Sequence, residues 1–309
     1  IVDLEDKADI YIINTCSVTN ESDKKSRKMI NRAKKNNPSA IIVVMGCYSQ
    51  VNADDIDVDI VLGNKDKSRI VEIIEDYIET KEKKKIIYDL SKVDFEKMEI
   101  SSFDSHTRAF VKIQDGCDNF CSYCIIPFTR GNSRSRKAQD IVDEIQLLIN
   151  SGYKEVVLTG IDMGSYKEPI DGYGFSSLLA LILKTFDGQV RFRISSLEES
   201  QINEEVISLY GMYPTTLVPH LHIPLQSGSE TILKAMRRKY DLKSFIELTD
   251  TLKRRFEYLA LSTDVIVGFP GETEELFMET YNFIEKVGFM RLHVFPYSRR
   301  PGTLANSMK

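Results

Sequence analysis

A strand-like apolar run followed by an amphipathic stretch, repeated along almost the whole chain, is the feature that most narrows the fold. From Ala109 onward the pattern recurs six times, with strands expected at residues 110–114, 155–159, 190–195, 221–225, 260–267 and 292–297. Helical stretches lie between them; in the first, residues 138–150, the side chains of Ile141, Ile145, Leu148 and Ile149 share one face. Strands joined through helices run parallel, and helices then cover the sheet on both sides. Six units are too few to close an eight-stranded barrel. The sequence therefore predicts a partial barrel with its chemistry at the C-terminal ends of the strands.

The first ninety residues alternate in the same way. Strands are expected at 9–15, 40–45 and 58–62. A polar helix at 20–37 carries Met29, Ile30 and Ala33, and a second at 67–78 carries a stripe of Ile70, Ile73, Ile74 and Ile78. This reads as an open parallel α/β layer of the flavodoxin or Rossmann kind. Residues 91–107 are polar and aperiodic and read as a linker, giving an N-terminal domain at 1–90 and a second at 108–309.

Just after the first strand of the second domain stand Cys117, Cys121 and Cys124, spaced x3 then x2. Iron–sulfur cubes take four cysteines, so a local set of three implies one iron open to a small molecule. A structural zinc site wants four ligands, yet His106 lies upstream and the next histidine is His220. An odd set at this spacing also pairs badly as disulfides. The cluster reading is preferred. In the N-terminal domain Cys16 and Cys47 each follow a strand, at tips that parallel pairing can bring together; the plainer alternative is two buried core thiols.

Composition adds limits. No apolar run approaches the ~18 residues of a membrane span, and five cysteines in a charged chain of 309 residues point to a reducing, cytoplasmic setting with metal or redox use. A net charge of −5 argues against a binder of nucleic acid over its whole surface. Two basic groups, Arg130/Arg134/Arg136 and Arg299/Arg300, flank the expected active-site segments and are candidates for phosphate contacts.

The triplet with Tyr123 before its last cysteine, at the mouth of six strand–helix units, resembles the radical S-adenosylmethionine (SAM) superfamily. That resemblance implies SAM chelated to the open iron of a 4Fe–4S cluster and cleaved to a 5′-deoxyadenosyl radical. It also assigns cofactor contacts to Tyr123, to Thr159 and Gly160 after the second strand, and to Ser195, Ser196 and Glu198 after the third. Gln226 on the fourth and Val267 and Gly268 on the fifth complete the set. Taken alone, Gly268 could merely shape a turn and Glu198 merely cap a helix.

The runs Asn14-Thr-Cys-Ser-Val-Thr19, Gly46-Cys-Tyr48, Val61-Leu-Gly-Asn64, Thr129-Arg-Gly131 and Pro224-Leu-Gln-Ser-Gly228 narrow the resemblance to the radical SAM methylthiotransferases. Residues 102–109, Arg193-Ile-Ser-Ser-Leu-Glu198 and the run from His293 to Thr303 are most similar to the branch acting on N6-threonylcarbamoyladenosine beside the tRNA anticodon. The resemblance implies transfer of a methylthio group to C2 of that base, a tRNA anticodon loop as partner, and an electron donor such as flavodoxin or ferredoxin. It implies a second, auxiliary 4Fe–4S cluster, for which Cys16 and Cys47 match two ligands and the third would precede Ile1. The family's C-terminal RNA-binding β-barrel has no counterpart before Lys309. Siblings acting on isopentenyladenosine in tRNA or on a ribosomal-protein aspartate would share every cluster residue, and a non-catalytic iron–sulfur carrier is the distant alternative.

Overall fold

A computed structural model describes residues 2, 6–98 and 107–309. Much of the expected linker, and the first part of the run 102–109, lie outside the described residues. The chain divides into two compact units that are not contiguous in sequence. The first comprises residues 6–98 together with Cys117–Asn132 and Ser298–Asn306; the second holds 107–116 and Ser133–Tyr297.

The first unit is a parallel sheet in the order β1 (Ile10–Thr15), β2 (Ile41–Gly46), β3 (Ile60–Leu62) and β4 (Lys84–Ile86). Helices α1 (Asn20–Asn36), α2 (Cys47–Asn52) and α3 (Ile70–Thr80) connect the strands. Two apolar clusters form on this sheet. Ile30 and Ala33 of α1 join Tyr11, Ile13, Ile42 and Val44 in one, and Ile73 and Ile74 of α3 join Val43, Ile60 and Leu62 in the other. Strands covered on both sides explain the unbroken Ile-Ile-Val-Val run of β2. The turn from β1 into α1 is fixed by Thr19, whose hydroxyl accepts the Ser22 N–H at 3.1 Å. β4 is an addition to the expected topology; its Lys-Lys-Ile sequence carries no apolar alternation. A short helix α4 (Ile126–Arg130), from the segment that follows the cysteines, belongs to this unit as well.

In the second unit β5 (Ala109–Lys112) is followed by β6 (Gln114–Asp115), which pairs antiparallel with β7 (Arg134–Ser135). The chain then continues through α5 (Ala138–Asn150), β8 (Glu155–Thr159), α6 (Phe175–Thr185), β9 (Arg191–Ile194), α7 (Glu204–Met212) and β10 (His220–His222). It ends with α8 (Glu230–Ala235), α9 (Leu242–Arg255), β11 (Ala260–Val267), α10 (Glu274–Val287) and β12 (Arg291–Pro296). β5-β8-β9 and β10-β11-β12 are all parallel. The bridge between Phe192 and Leu217 joins the two sets, so six strands stand in sequence order as an incomplete barrel.

Alternation along these strands separates two environments. Val111, Val156, Leu158, Phe192, Ile194, Leu221, Ile223 and Leu261 face the helices and are buried. The opposite, inner face carries the polar groups Lys112, Glu155, Arg193, Ser195, His220, His222, Ser262 and Asp264, with Phe110, Val157 and Ile266 among them. Helix α6 alone contributes Phe175, Leu178, Leu179, Ile182 and Leu183 to the core, and full burial of each such side chain is worth about 1.5–3 kcal/mol.

Candidate active site

The three clustered cysteines lie on a loop held by backbone turns. Gly116, at φ +75°, opens it. Gln114, fully buried at the end of β5–β6, donates from Nε2 to the carbonyls of Asp115 and Gly116 at 3.1 and 2.7 Å and to Ser133 Oγ at 2.9 Å. Its Oε1 accepts the Asp162 N–H at 2.8 Å, so one amide ties together the start of the loop and the segment after β8. Within the loop, Cys117 N–H donates to Gly131 O and Cys124 N–H to Cys121 O, each at 3.0 Å. Phe120 takes the left-handed conformation at φ +48°, a costly state for an aromatic residue, where the chain reverses between Cys117 and Cys121. Cys117, Cys121 and Cys124 are half-buried thiols, and Tyr123 is half-buried beside them. Three thiols within eight residues, carried on a turn and accessible from outside, fit three corners of a 4Fe–4S cube.

Cys16 and Cys47 follow Thr15 and Gly46, which are paired in register across β1 and β2. The two thiols therefore occupy adjacent strand tips, Cys16 exposed and Cys47 buried. Cys47 Sγ accepts from Arg130 Nε at 3.2 Å and from Asn64 Nδ2 at 3.4 Å, while the same Asn64 amide donates to Thr129 O at 2.7 Å. Arg130 and Thr129 belong to α4, which packs on α2. N–H donors aimed at a ligand sulfur tune iron–sulfur sites, so this setting fits a metal-bound thiolate better than a plain core thiol. All five cysteines thus belong to one compact unit.

The strand-end candidates of the second unit are half-buried on or just beyond the C-terminal ends. Thr159 closes β8, Ser195 and Ser196 follow β9, and Val267 closes β11. A Cβ on Gly160 would come within 3.0 Å of Gln114 Oε1, so that glycine serves the close packing of this segment. Gln226 adopts φ +65° and bridges Val265, which joins β10's continuation to β11. Gly268 is exposed at φ +73° with open space where a side chain would be. Glu198, expected as a cofactor contact, has its carboxylate ion-paired with Arg238. Burial pushes its pKa up, and Arg238 opposes that shift without overcoming it.

Two of the five expected RNA contacts are internal instead. Arg136 is 3% exposed and its guanidinium is paired with the equally buried Glu144. Arg300 is also 3% exposed and bonds Asp23, Ser17 and Asn20. A buried arginine needs a carboxylate partner, and both found one through packing that a run of basic residues does not reveal. Arg134 pairs with Asp115 at 3.3 Å, Arg130 sits on Cys47, and Arg299 alone of the five is exposed. One group escaped the sequence reading: His222, Asp264 and His293 converge from β10, β11 and β12 on the inner face. Its signals were one polar residue inside each of three separate apolar runs: His222, Asp264 and His293.

Residues 111–284 match the Radical SAM superfamily, and residues 1–63 match the Uncharacterized protein family UPF0004. The threonylcarbamoyladenosine tRNA methylthiotransferase MtaB of Bacillus subtilis is 47% identical over 99% of this chain and 69% of its own length. The enzyme of that name from Aquifex aeolicus is 40% identical over 100% of this chain and 76% of its own. The tRNA-2-methylthio-N(6)-dimethylallyladenosine synthase of Lawsonia intracellularis is 39% identical over 99% and 71%. Among solved structures, the radical SAM methyltransferase TsrM of Kitasatospora setae superposes with a TM-score of 0.72 at 12% identity, covering 98% of this chain and 65% of that one. At that identity the likeness concerns the fold. The cysteine loop, the six-stranded incomplete barrel and the relatives matched over nearly the whole of this chain together place it in the radical SAM superfamily and, within it, in the family of tRNA methylthiotransferases.

Proposed function

We propose that the protein methylthiolates C2 of N6-threonylcarbamoyladenosine in the anticodon loop of tRNA, in the cytoplasm, with electrons from a flavodoxin- or ferredoxin-type donor. The observation that carries the reading is the half-buried triplet Cys117, Cys121 and Cys124 on its turn after β5, in a chain 47% identical to a curated enzyme of that specificity. These three residues would hold the cluster that leaves one iron for SAM. When bound, cluster and SAM together supply the 5′-deoxyadenosyl radical that takes the C2 hydrogen.

The chain's own residues position and shield. Gln114 fixes the loop's entry to the segment after β8, where Thr159 and Gly160 are the proposed contacts for the SAM amino group. Ser195, Ser196, Gln226, Val267 and Gly268 supply further polar and backbone groups at neighbouring strand ends. Cys16 and Cys47 would contribute to the auxiliary cluster that carries the transferred sulfur, with Arg130 and Asn64 donating to Cys47. Arg299, exposed, and Arg134 are the remaining candidates for RNA phosphates. A carrier of iron and sulfur would have no use for a polar inner barrel face, which favours the enzyme.

The dimethylallyladenosine enzyme is the second reading, supported by relatives at 39% and 37% identity. Mass analysis of tRNA nucleosides from cells lacking the protein separates the two. Loss of the methylthiolated threonylcarbamoyl nucleoside supports the proposal, and loss of the dimethylallyl one refutes it. In the purified, reconstituted enzyme, Cys121→Ala is expected to leave a folded protein that forms no 5′-deoxyadenosine. Unchanged SAM cleavage would remove the triplet from its proposed role.

A further inference from the structure

On the inner face of the barrel unit, Asp264 of β11 sits between two imidazoles. Its Oδ2 lies 3.2 Å from His222 Nε2 and its Oδ1 lies 3.0 Å from His293 Nδ1. The two rings are 5.6 Å apart, tilted by 32°. Behind them, Ser262 Oγ is 2.9 Å from both His222 Nδ1 and His220 Nε2. Burial alone would raise the Asp264 pKa, but the hydrogen bonds and charge of His222 and His293 outweigh it and hold the carboxyl below its ordinary range.

An ionised Asp264 fixes two of the proton positions along the row. Both of its oxygens accept, so His222 donates from Nε2 and His293 from Nδ1. With His222 neutral, its Nδ1 accepts from the Ser262 hydroxyl, whose oxygen accepts from His220 Nε2–H. Among the described residues two ring nitrogens are left over: His220 Nδ1, which is buried, and His293 Nε2, on a side chain that is 39% exposed against 11% for His222. Two residues toward the strand ends on the same face, Ile266 and Phe295 are register partners, and Phe295 is 46% exposed. An apolar shelf therefore lies beside a polar row. Parallel strands normally bury apolar runs, and a partly buried polar group left without a hydrogen-bond partner, as His293 Nε2 would be under an apolar ligand, costs stability.

We propose that this row, ending at His293, is the binding site for the polar N6 substituent of the substrate adenosine and sets the choice between substituents. This inference rests on the tRNA reading above. A threonylcarbamoyl group offers urea N–H donors, a hydroxyl and a carboxylate. His293 Nε2 accepts from a donor when neutral and donates to a carboxylate when protonated, with Asp264 behind it balancing the charge. A dimethylallyl group offers no such partner and would bury His293 Nε2 unpaired. A site built to hydrogen-bond its substrate discriminates strongly against an analogue lacking those groups.

The test uses the reconstituted enzyme and two tRNAs, one carrying threonylcarbamoyladenosine and one carrying dimethylallyladenosine. His293→Phe keeps a ring of similar shape without nitrogen; His293→Asn keeps a polar end. The expected result is a fall in kcat/KM for the threonylcarbamoyl tRNA of about tenfold or more in His293→Phe, mostly through KM. The preference between the two tRNAs should narrow in that variant and be partly restored in His293→Asn. Thermal unfolding of each variant checks that the fold persists. An unchanged preference and KM in folded His293→Phe, with the wild type acting on the threonylcarbamoyl tRNA, overturns this inference alone. A wild type that acts only on the dimethylallyl tRNA overturns the functional reading as well. One zinc per wild-type chain, lost in His293→Phe, would make the row a metal centre and also overturn the inference.

Discussion

Arg300→Met separates a structural arginine from an RNA contact. In the first unit the Arg300 guanidinium donates from Nη1 to Asn20 Oδ1 and from Nη2 to Ser17 Oγ and Asp23 Oδ2, each at 2.7 Å. Ser17 Oγ in turn donates to the second Asp23 oxygen at 2.8 Å. Arg300 is 3% and Asp23 9% exposed, so solvent does little to screen the pair. Methionine fills similar volume but leaves the Asp23 carboxylate without its cation, a loss of about 3–5 kcal/mol for a broken buried pair. With a urea m-value of about 2 kcal/mol/M, the midpoint should fall by about 2 M, read by far-UV circular dichroism. Asp23→Asn combined with Arg300→Met removes both charges and should recover much of the loss, the signature of direct coupling. A midpoint shift below about 0.5 M, with tRNA affinity weakened and its salt dependence reduced, would refute the reasoning and return Arg300 to the phosphate backbone.

Gly131→Ala is expected to destabilise the first unit by about 2 kcal/mol or more, because φ is +75° there and a Cβ would lie 2.3 Å from Leu90 O; a wild-type urea midpoint would count against it. His220 provides a pH test. Burial, then the nearby charges of Arg193, His222 and Arg291, lower its pKa to about 4 from an ordinary value of 6.5. The unfolded chain then takes up the proton first, so this contribution is complete above about pH 6.5 and is lost as pH falls toward 4. His220→Asn should flatten that part of the stability–pH curve, and an unchanged slope between wild type and variant would show that another group is responsible.

The strand–helix alternation made both sheets legible, because period and composition are local properties of the chain. Strands 155–159 and 260–267 were expected at their observed limits, and others shifted by a residue or more. β4 escaped because Lys84, Lys85 and Ile86 gain their strand state from pairing with β3, not from their own pattern. The cysteine triplet was equally legible, since its spacing is covalent. The His222–Asp264–His293 row was not, because its members stand on three strands and meet only through lateral register.

The charged residues mark the boundary most clearly. Arg136 and Arg300 read as surface cations in a basic run, yet Glu144 and Asp23 bury them. Likewise the loop Cys117–Asn132 and the segment Ser298–Asn306 follow barrel strands in sequence but pack with the N-terminal sheet. By itself the sequence determined the parallel α/β class, the six-unit barrel and the three clustered thiols, all written in short-range periodicity and spacing. Which carboxylate each arginine meets, and that Arg130 donates to Cys47 across 83 residues of chain, was decided only by tertiary packing. Burial makes an unpaired charge too costly to leave, and the nearest partner in space need not be near in sequence.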